Sequence, residues 1–213
     1  MGDSASGRNP AHHLGMREPS PWVVRFARLV PAGGTVLDLA CGGGRHARHL
    51  ISLGLRVVAL DRAVEAVDDL EGSAEIIAAD LEDGSPWPLA GRQFDGIIVV
   101  NYLHRPLFPV LFDALSPRGV LIYETFALGN ERYSRPRNAD HLLKGGELLS
   151  LVGDTLQVVA YEHGILEKGE CPGIVQRICA VNDRDLSERE DGEADPHAVY
   201  APARAQPVNE DGS

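Results

Sequence analysis

The run Val36-Leu37-Asp38-Leu39-Ala40-Cys41-Gly42-Gly43-Gly44 limits what this chain can become more than any other stretch. Its apolar part, Thr35 to Leu39, has the length and composition of a buried strand, and a helix over Gly43 to Leu53 closed by Gly54 follows directly. Between them the glycines remove Cβ atoms at the carboxyl end of the strand, where a ligand can approach the backbone. Gly42, Gly44 and Ala47 meet the loose GxGxxG/A spacing, which by itself implies only that close approach.

The same alternation continues along the chain. Ser20-Pro21 reads as an N-cap and first helical residue, with Trp22, Phe26, Leu29 and Val30 at helical spacing after it. Strands are predicted at Arg56 to Leu60, Ala74 to Ala79, Phe94 to Val100 and Gly119 to Thr125. Helices are predicted at Ala63 to Leu70, Pro106 to Leu115 and Gly145 to Val152. Strands alternating with helices require parallel pairing and right-handed crossovers. Two final strand-like runs, Leu156 to Tyr161 and Ile174 to Val181, have no helix between them and are expected to pair as a hairpin, making one strand antiparallel. The fold class is therefore α/β: one Rossmann-like, doubly wound, mostly parallel sheet with an antiparallel C-terminal hairpin strand.

A chain of 213 residues is near the usual size of one domain. The folded unit is expected over 20–182, with a Gly-, Ser- and Pro-rich disordered segment at 1–19 and an acidic disordered tail at 183–213. That tail holds nine acids against three arginines and so carries over half of the net charge of −11. No apolar stretch is long enough to cross a bilayer, and the first 20 residues lack the apolar centre of a signal peptide, so a cytoplasmic protein is expected. Cys41, Cys171 and Cys179 are too few and too widely spaced for a disulfide framework or a CxxC metal site. His46 and His49 lie one helical turn apart but lack a third ligand, and a solvated helix face beside Arg45 and Arg48 is expected, with no metal.

Asp38 discriminates between the ligands that such a turn can hold. A dinucleotide would set its pyrophosphate over the turn, against this carboxylate. S-adenosylmethionine has no phosphate; its ammonium and sulfonium are cationic and suit an adjacent acid. An NAD(P)-dependent oxidoreductase is the disfavoured alternative. Asp61 ends the second strand and suits the two hydroxyls of a ribose, which either ligand carries. Asp80-Leu81, after the third strand, offers an acceptor and an apolar wall to adenine.

With Asp38 to Gly44, Asp61, Asp80-Leu81, Phe94-Asp95 and Leu115-Ser116-Pro117-Arg118-Gly119-Val120-Leu121 in order, the region from Val36 to Val181 resembles a class I S-adenosylmethionine-dependent methyltransferase. Within that family it is similar to small bacterial enzymes of the tellurite-resistance type. The resemblance implies a seven-stranded sheet with a reversed last strand. It also implies a cofactor seat formed by Asp38, Ala40, Gly42, Gly44, Asp61, Arg62, Asp80, Leu81 and Asn101. The acceptor side falls at the end of the fourth strand, which here reads Asn101-Tyr102-Leu103-His104-Arg105-Pro106. This departs from the Asn/Asp-Pro-Pro-Tyr/Phe pattern of enzymes that methylate exocyclic base nitrogens.

Methyl transfer depends on positioning and electrostatics, so a base is optional. His104 has suitable chemistry for taking a proton, or it simply caps or packs beside the helix beginning at Pro106. Tyr102 is a second catalytic candidate; Tyr102 and Tyr123 are placed to line the acceptor pocket, or Tyr123, inside a strand, is core packing, the favoured reading. Arg132, Arg135 and Arg137 cluster on the segment after the fifth strand, where they can grip a carboxylate or phosphate of the acceptor, or Arg132 pairs with Glu131. A small-molecule acceptor is expected. RNA or protein methylation and nonenzymatic cofactor binding are the alternatives, and an acidic folded core disfavours broad nucleic-acid binding.

Overall fold

A computed structural model of the chain describes residues 18–166, 173–184 and 186–200. In these residues seven strands form one sheet: β1 (Thr35–Leu39), β2 (Arg56–Asp61), β3 (Ala74–Ala78), β4 (Phe94–Val100), β5 (Leu115–Phe126), β6 (Gln157–Leu166) and β7 (Gly173–Val181). The order across the sheet is β3-β2-β1-β4-β5-β7-β6. Strands β1 to β5 pair in parallel, and β7 runs antiparallel to both of its neighbours. The expected reversed hairpin strand is thus β7, inserted between β5 and β6. Strand order reverses beside β1, which pairs with β2 on one side and β4 on the other. In open sheets of this kind, ligands bind outside the carboxyl ends of the strands at that point.

The α-helices are α1 (Pro21–Phe26), α2 (Arg45–Ser52), α3 (Phe108–Asp113) and α4 (Glu147–Val152). Ser20 caps α1, its hydroxyl accepting the amide of Trp22, with Pro21 at the first position. Helices cover both faces of the sheet. Trp22, Val23 and Phe26 of α1 and Ala47 and Leu50 of α2 pack against Val36, Ile98 and Ile122 on one face. Phe108 and Leu111 of α3 and Leu148 and Val152 of α4 pack against Leu37, Ile97 and Leu121 on the other. Each large side chain so buried contributes about 1.5–3 kcal/mol.

Some expected elements take another form. Residues Glu65–Leu70 are a 3-10 helix rather than part of an α-helix. Arg48 occupies the carbonyl of Ala66 and the carboxylate of Asp69, and the tighter winding stacks Val67 and Leu70, three residues apart, on one buried side. The helix expected to end at Leu115 stops at Asp113 after a 3-10 turn at Arg105–Leu107. Phe94 donates to the carbonyl of Ala114 and pairs with Leu115, so the chain is already in β5 there. Helix α4 begins at Glu147 because Gly146 has φ 73°, outside the helical region. Strand β6 continues to Leu166 through a largely exposed half whose composition gives no apolar alternation.

The expected disorder of residues 1–17 and 201–213 falls outside the described residues. Residues 186–200 contain no helix or strand, yet His197 Nε2 meets Asp183 Oδ2 at 2.7 Å and Arg25 donates to the carbonyl of Tyr200. Cys41 and Cys179 are free and buried; Cys171 lies outside the described residues. No described helix is long and apolar enough to cross a membrane.

Candidate active site

Asp38, at the carboxyl end of β1, is 1% exposed, and its Oδ2 has no hydrogen-bond partner. Burial pushes its pKa up to about 7, opposed by the amide of Ala47 and by the charge of Arg45. An unpaired carboxylate oxygen in such a place is costly unless something cationic completes it.

The backbone turns immediately after this strand. Ala40 and Gly42 both have φ 54° and Gly44 has φ 71°. The amide of Cys41 donates to Leu60 in β2, and that of Gly44 donates back to Cys41. The two expected seat glycines separate here. A Cβ at Gly42 would meet no atom within 4 Å, so the space over that residue is open to a ligand. A Cβ at Gly44 would lie 2.6 Å from Val67, so the missing side chain there admits packing of the 3-10 helix.

Asp61 serves the turn as well as any ligand. Its Oδ2 accepts the amide of Gly42 at 2.9 Å and its Oδ1 that of Ala63 at 3.1 Å. A carboxylate has about four lone-pair sites, so two contacts leave capacity for hydroxyl donors. Arg62, next along, is exposed. Beyond β3, Asp80 folds its own loop by accepting the amide of Glu82 at 2.9 Å, and Leu81, with Trp87, packs partly buried against the core.

On the acceptor side, Asn101 leaves β4 with φ 58° and donates its amide to the carbonyl of Glu124. The candidate Tyr102 is 5% exposed and packs in the core between β4 and α3, rather than forming an open pocket wall. Its carbonyl accepts the Tyr123 hydroxyl at 2.7 Å, and Tyr123 stacks on Phe108 with ring centroids 5.2 Å apart. Tyr123 is core, as its position in the strand implies. His104 is half-exposed at the N-cap position before Arg105 and makes no side-chain capping bond, so the capping alternative has no contact behind it.

The arginine-bearing segment leaves β5 and closes on itself where the amide of Leu128 donates to the carbonyl of Leu143 and that of Leu143 to Phe126. Arg132, Arg135 and Arg137 are all exposed. Glu131 accepts the amide of Gly129 at 2.8 Å, and among the described residues no Arg132–Glu131 pair is formed.

A cluster unforeseen in the sequence lies between α2 and β5. Glu124 is 6% exposed; the Ser20 hydroxyl donates to it at 3.0 Å and Arg177 lies 3.4 Å away. Burial nevertheless raises its pKa. His46, expected on a solvated face, is 4% exposed and accepts the amide of Ser20 at 3.2 Å through Nε2. Burial lowers its pKa to about 3, so it is neutral. The sequence signal for Glu124 is an acid within a strand otherwise rich in apolar residues. The signal for His46 is its place on the same helical face as Ala47 and Leu50. Among the described residues no group of three or more His, Cys, Asp or Glu is placed to hold a metal ion.

Residues 36–119 match a family model described as a methyltransferase domain. A ubiquinone biosynthesis O-methyltransferase from Xanthomonas axonopodis pv. citri (strain 306) is 31% identical over 136 residues, covering 58% of this chain and 54% of that protein. The chain spans about half the length of the curated relatives it matches. Among solved structures, TehB from Haemophilus influenzae aligns with a TM-score of 0.60 and 18% identity, over 76% of this chain and 61% of that one. The N-methyltransferase NodS from Bradyrhizobium japonicum WM9, in complex with S-adenosyl-L-homocysteine, aligns with a TM-score of 0.58 and 16% identity, over 81% and 96%. The fold is that of class I S-adenosylmethionine-dependent methyltransferases, and the matched family region includes Asp38, the glycine turn and Asp61.

Proposed function

We propose that this chain, with its class I methyltransferase fold, is a cytoplasmic S-adenosylmethionine-dependent methyltransferase acting on a small-molecule acceptor. The observation that carries this reading is the buried, unpartnered Oδ2 of Asp38 beneath an open glycine turn. A cationic ammonium completes that carboxylate, whereas a pyrophosphate in the same place meets its repulsion. The residues present therefore fit S-adenosylmethionine better than NAD(P).

Asp38 and the backbone around Gly42 hold the methionine end, with Ala40 and Gly44 shaping the turn. Asp61 accepts the ribose hydroxyls, with Arg62 beside it. Asp80 and Leu81 receive the adenine, and Asn101 borders the methyl side. When bound, the cofactor supplies a methyl group on a positively charged sulfur, open to direct displacement. The chain's remaining task is to align the acceptor and manage its proton. His104, half-exposed beside this edge, takes a proton from a hydroxyl or protonated nitrogen. Tyr102 acts through its backbone, which Tyr123 holds in place. Arg132, Arg135 and Arg137 bind an anionic group of the acceptor.

The names of the relatives, an O-methyltransferase of ubiquinone biosynthesis and an N-methyltransferase, make oxygen and nitrogen the acceptor atoms to try first. The test is incubation of the purified protein with methyl-labelled cofactor and a size-fractionated cell extract. Label is expected in the small-molecule fraction; label in protein or RNA would replace the acceptor class. No transfer to any fraction, with binding of S-adenosylhomocysteine retained, would favour a nonenzymatic role.

A further inference from the structure

We propose that Arg105 is a positioning residue of the acceptor side: its guanidinium pins the arginine-bearing hook, residues 127–146, to the loop that carries His104. The proposal rests on the methyl-transfer reading above for its consequence in catalysis, though not for the clamp itself.

The hook has little regular structure to hold it. Its helical content is two 3-10 turns, Asn130–Arg132 and Ala139–His141. Its shape comes from individual hydrogen bonds. Asn130 is fully buried inside it, and its side-chain amide donates to the carbonyl of Pro136 at 3.3 Å. The base rests on β7, where the amide of Ala127 donates to the carbonyl of Ile174 at 2.8 Å and the Gln176 side-chain amide donates to the carbonyl of Lys144. These contacts fix the hook to the far side of the sheet. They do not set its distance from His104, which belongs to the β4 side.

Arg105 spans that gap. Nε donates to Glu147 Oε1 at 2.6 Å and Nη2 to Oε2 at 3.0 Å, a bidentate pair. Nη1 donates to the carbonyl of Asp140 at 2.7 Å and Nη2 also to that of Leu142 at 2.9 Å. Glu147 in turn accepts the amide of Lys144 at 2.7 Å. One planar guanidinium thus joins the first turn of α4 and the returning arm of the hook to the residue next to His104. On its other side, the same loop is fixed by Tyr123 through the carbonyl of Tyr102. His104 stands between these two anchors, and the hook's arginines are held at a set distance from it. Only a fork of several fixed donors can meet a carboxylate and two carbonyls together; a lysine in this place keeps the charge and loses the geometry.

The test compares wild type with Arg105→Lys, Glu147→Gln and the double variant, all checked for folding by thermal melting. Three quantities are read: S-adenosylhomocysteine affinity by calorimetry, amide hydrogen exchange over residues 128–143, and label transfer against increasing amounts of the small-molecule extract. Each variant should keep its affinity within about twofold and exchange those amides about tenfold faster. Half-saturation should need about tenfold more extract, with the maximal rate changed by less than about threefold. The double variant should be no worse than the worse single one, because both substitutions break one contact. Unchanged exchange overturns the clamp. Faster exchange with unchanged half-saturation overturns the positioning role, and so does a parallel loss of cofactor affinity. If the wild type transfers no label, it is the methyl-transfer reading that fails; the exchange measurement still decides whether Arg105 holds the hook.

Discussion

The amide of Gly42 donates to Oδ2 of Asp61 at 2.9 Å, so the carboxylate that ends β2 shapes the turn that ends β1. Two adjacent strands thereby meet at one turn, and the residue proposed for the ribose also shapes the backbone proposed to hold the methionine end.

Asp61→Ala removes both roles and is expected to weaken S-adenosylhomocysteine binding by about 10–100-fold. Asp61→Asn keeps an acceptor for the Gly42 amide and should lose less. Calorimetry on both variants checks this; wild-type affinity in Asp61→Ala would remove the residue from the site.

A cation bound at Asp38 would couple to the protonation of its carboxyl. Its pKa is raised to about 7 in the folded protein, so between its unfolded value near 4 and pH 7 the folded state binds more protons than the unfolded one. Its contribution to stability is therefore greatest below pH 4 and is lost as pH rises towards 7. Asp38→Asn should stabilise the ligand-free protein at pH 7.5 by on the order of 1–4 kcal/mol while weakening S-adenosylhomocysteine binding at least about tenfold. Wild-type binding near pH 7 should also release about half a proton, read as a dependence of the binding enthalpy on the buffer's ionisation heat. A destabilised Asp38→Asn variant would contradict this account of the buried carboxylate.

Tyr123→Phe leaves the carbonyl of Tyr102 buried without its donor. A loss of about 1–3 kcal/mol in denaturant unfolding is expected, with lower label transfer and cofactor affinity within about threefold of wild type. Equal loss of affinity and transfer would show that the hydroxyl supports the whole sheet end rather than the acceptor loop.

His104→Gln should lower the maximal rate of label transfer by about 10²–10⁴-fold if the acceptor must lose a proton, with S-adenosylhomocysteine affinity unchanged. Replacing Arg132, Arg135 and Arg137 together by Ala should instead raise the half-saturating amount of extract and flatten its salt dependence. A triple variant with wild-type saturation and salt response would place the acceptor's anionic group elsewhere.

Much of the proposed seat is readable in the chain because its residues are local. Asp38 lies within the β1 run, Asp61 ends β2 and Asp80 comes just after β3, and the glycines lie between a strand and a helix. β4, Phe94–Val100, is read at its observed bounds because its apolar run begins beside Gln93 and Asp95 and stops at Asn101. What composition alone misses is long-range. The Glu124 carboxylate is buried against Ser20, 104 residues away in sequence, and Arg105 meets Glu147 across 42 residues. Nothing near these residues in sequence reveals their partners. Leu115 fits a helix or a strand equally well by type, and only its pairing with Phe94 assigns it. Gly44 likewise reads as a ligand glycine until Val67 is seen filling the space above it.

The central claim is that Asp38 makes the glycine turn a seat for a phosphate-free nucleoside bearing an ammonium group. Titrating the wild-type protein calorimetrically with S-adenosylhomocysteine, NAD(H) and NADP(H) tests it most directly. The account predicts saturable, roughly one-to-one binding of S-adenosylhomocysteine with an affinity in about the micromolar range, and none of either dinucleotide. Dinucleotide binding, or no binding of S-adenosylhomocysteine, would contradict it.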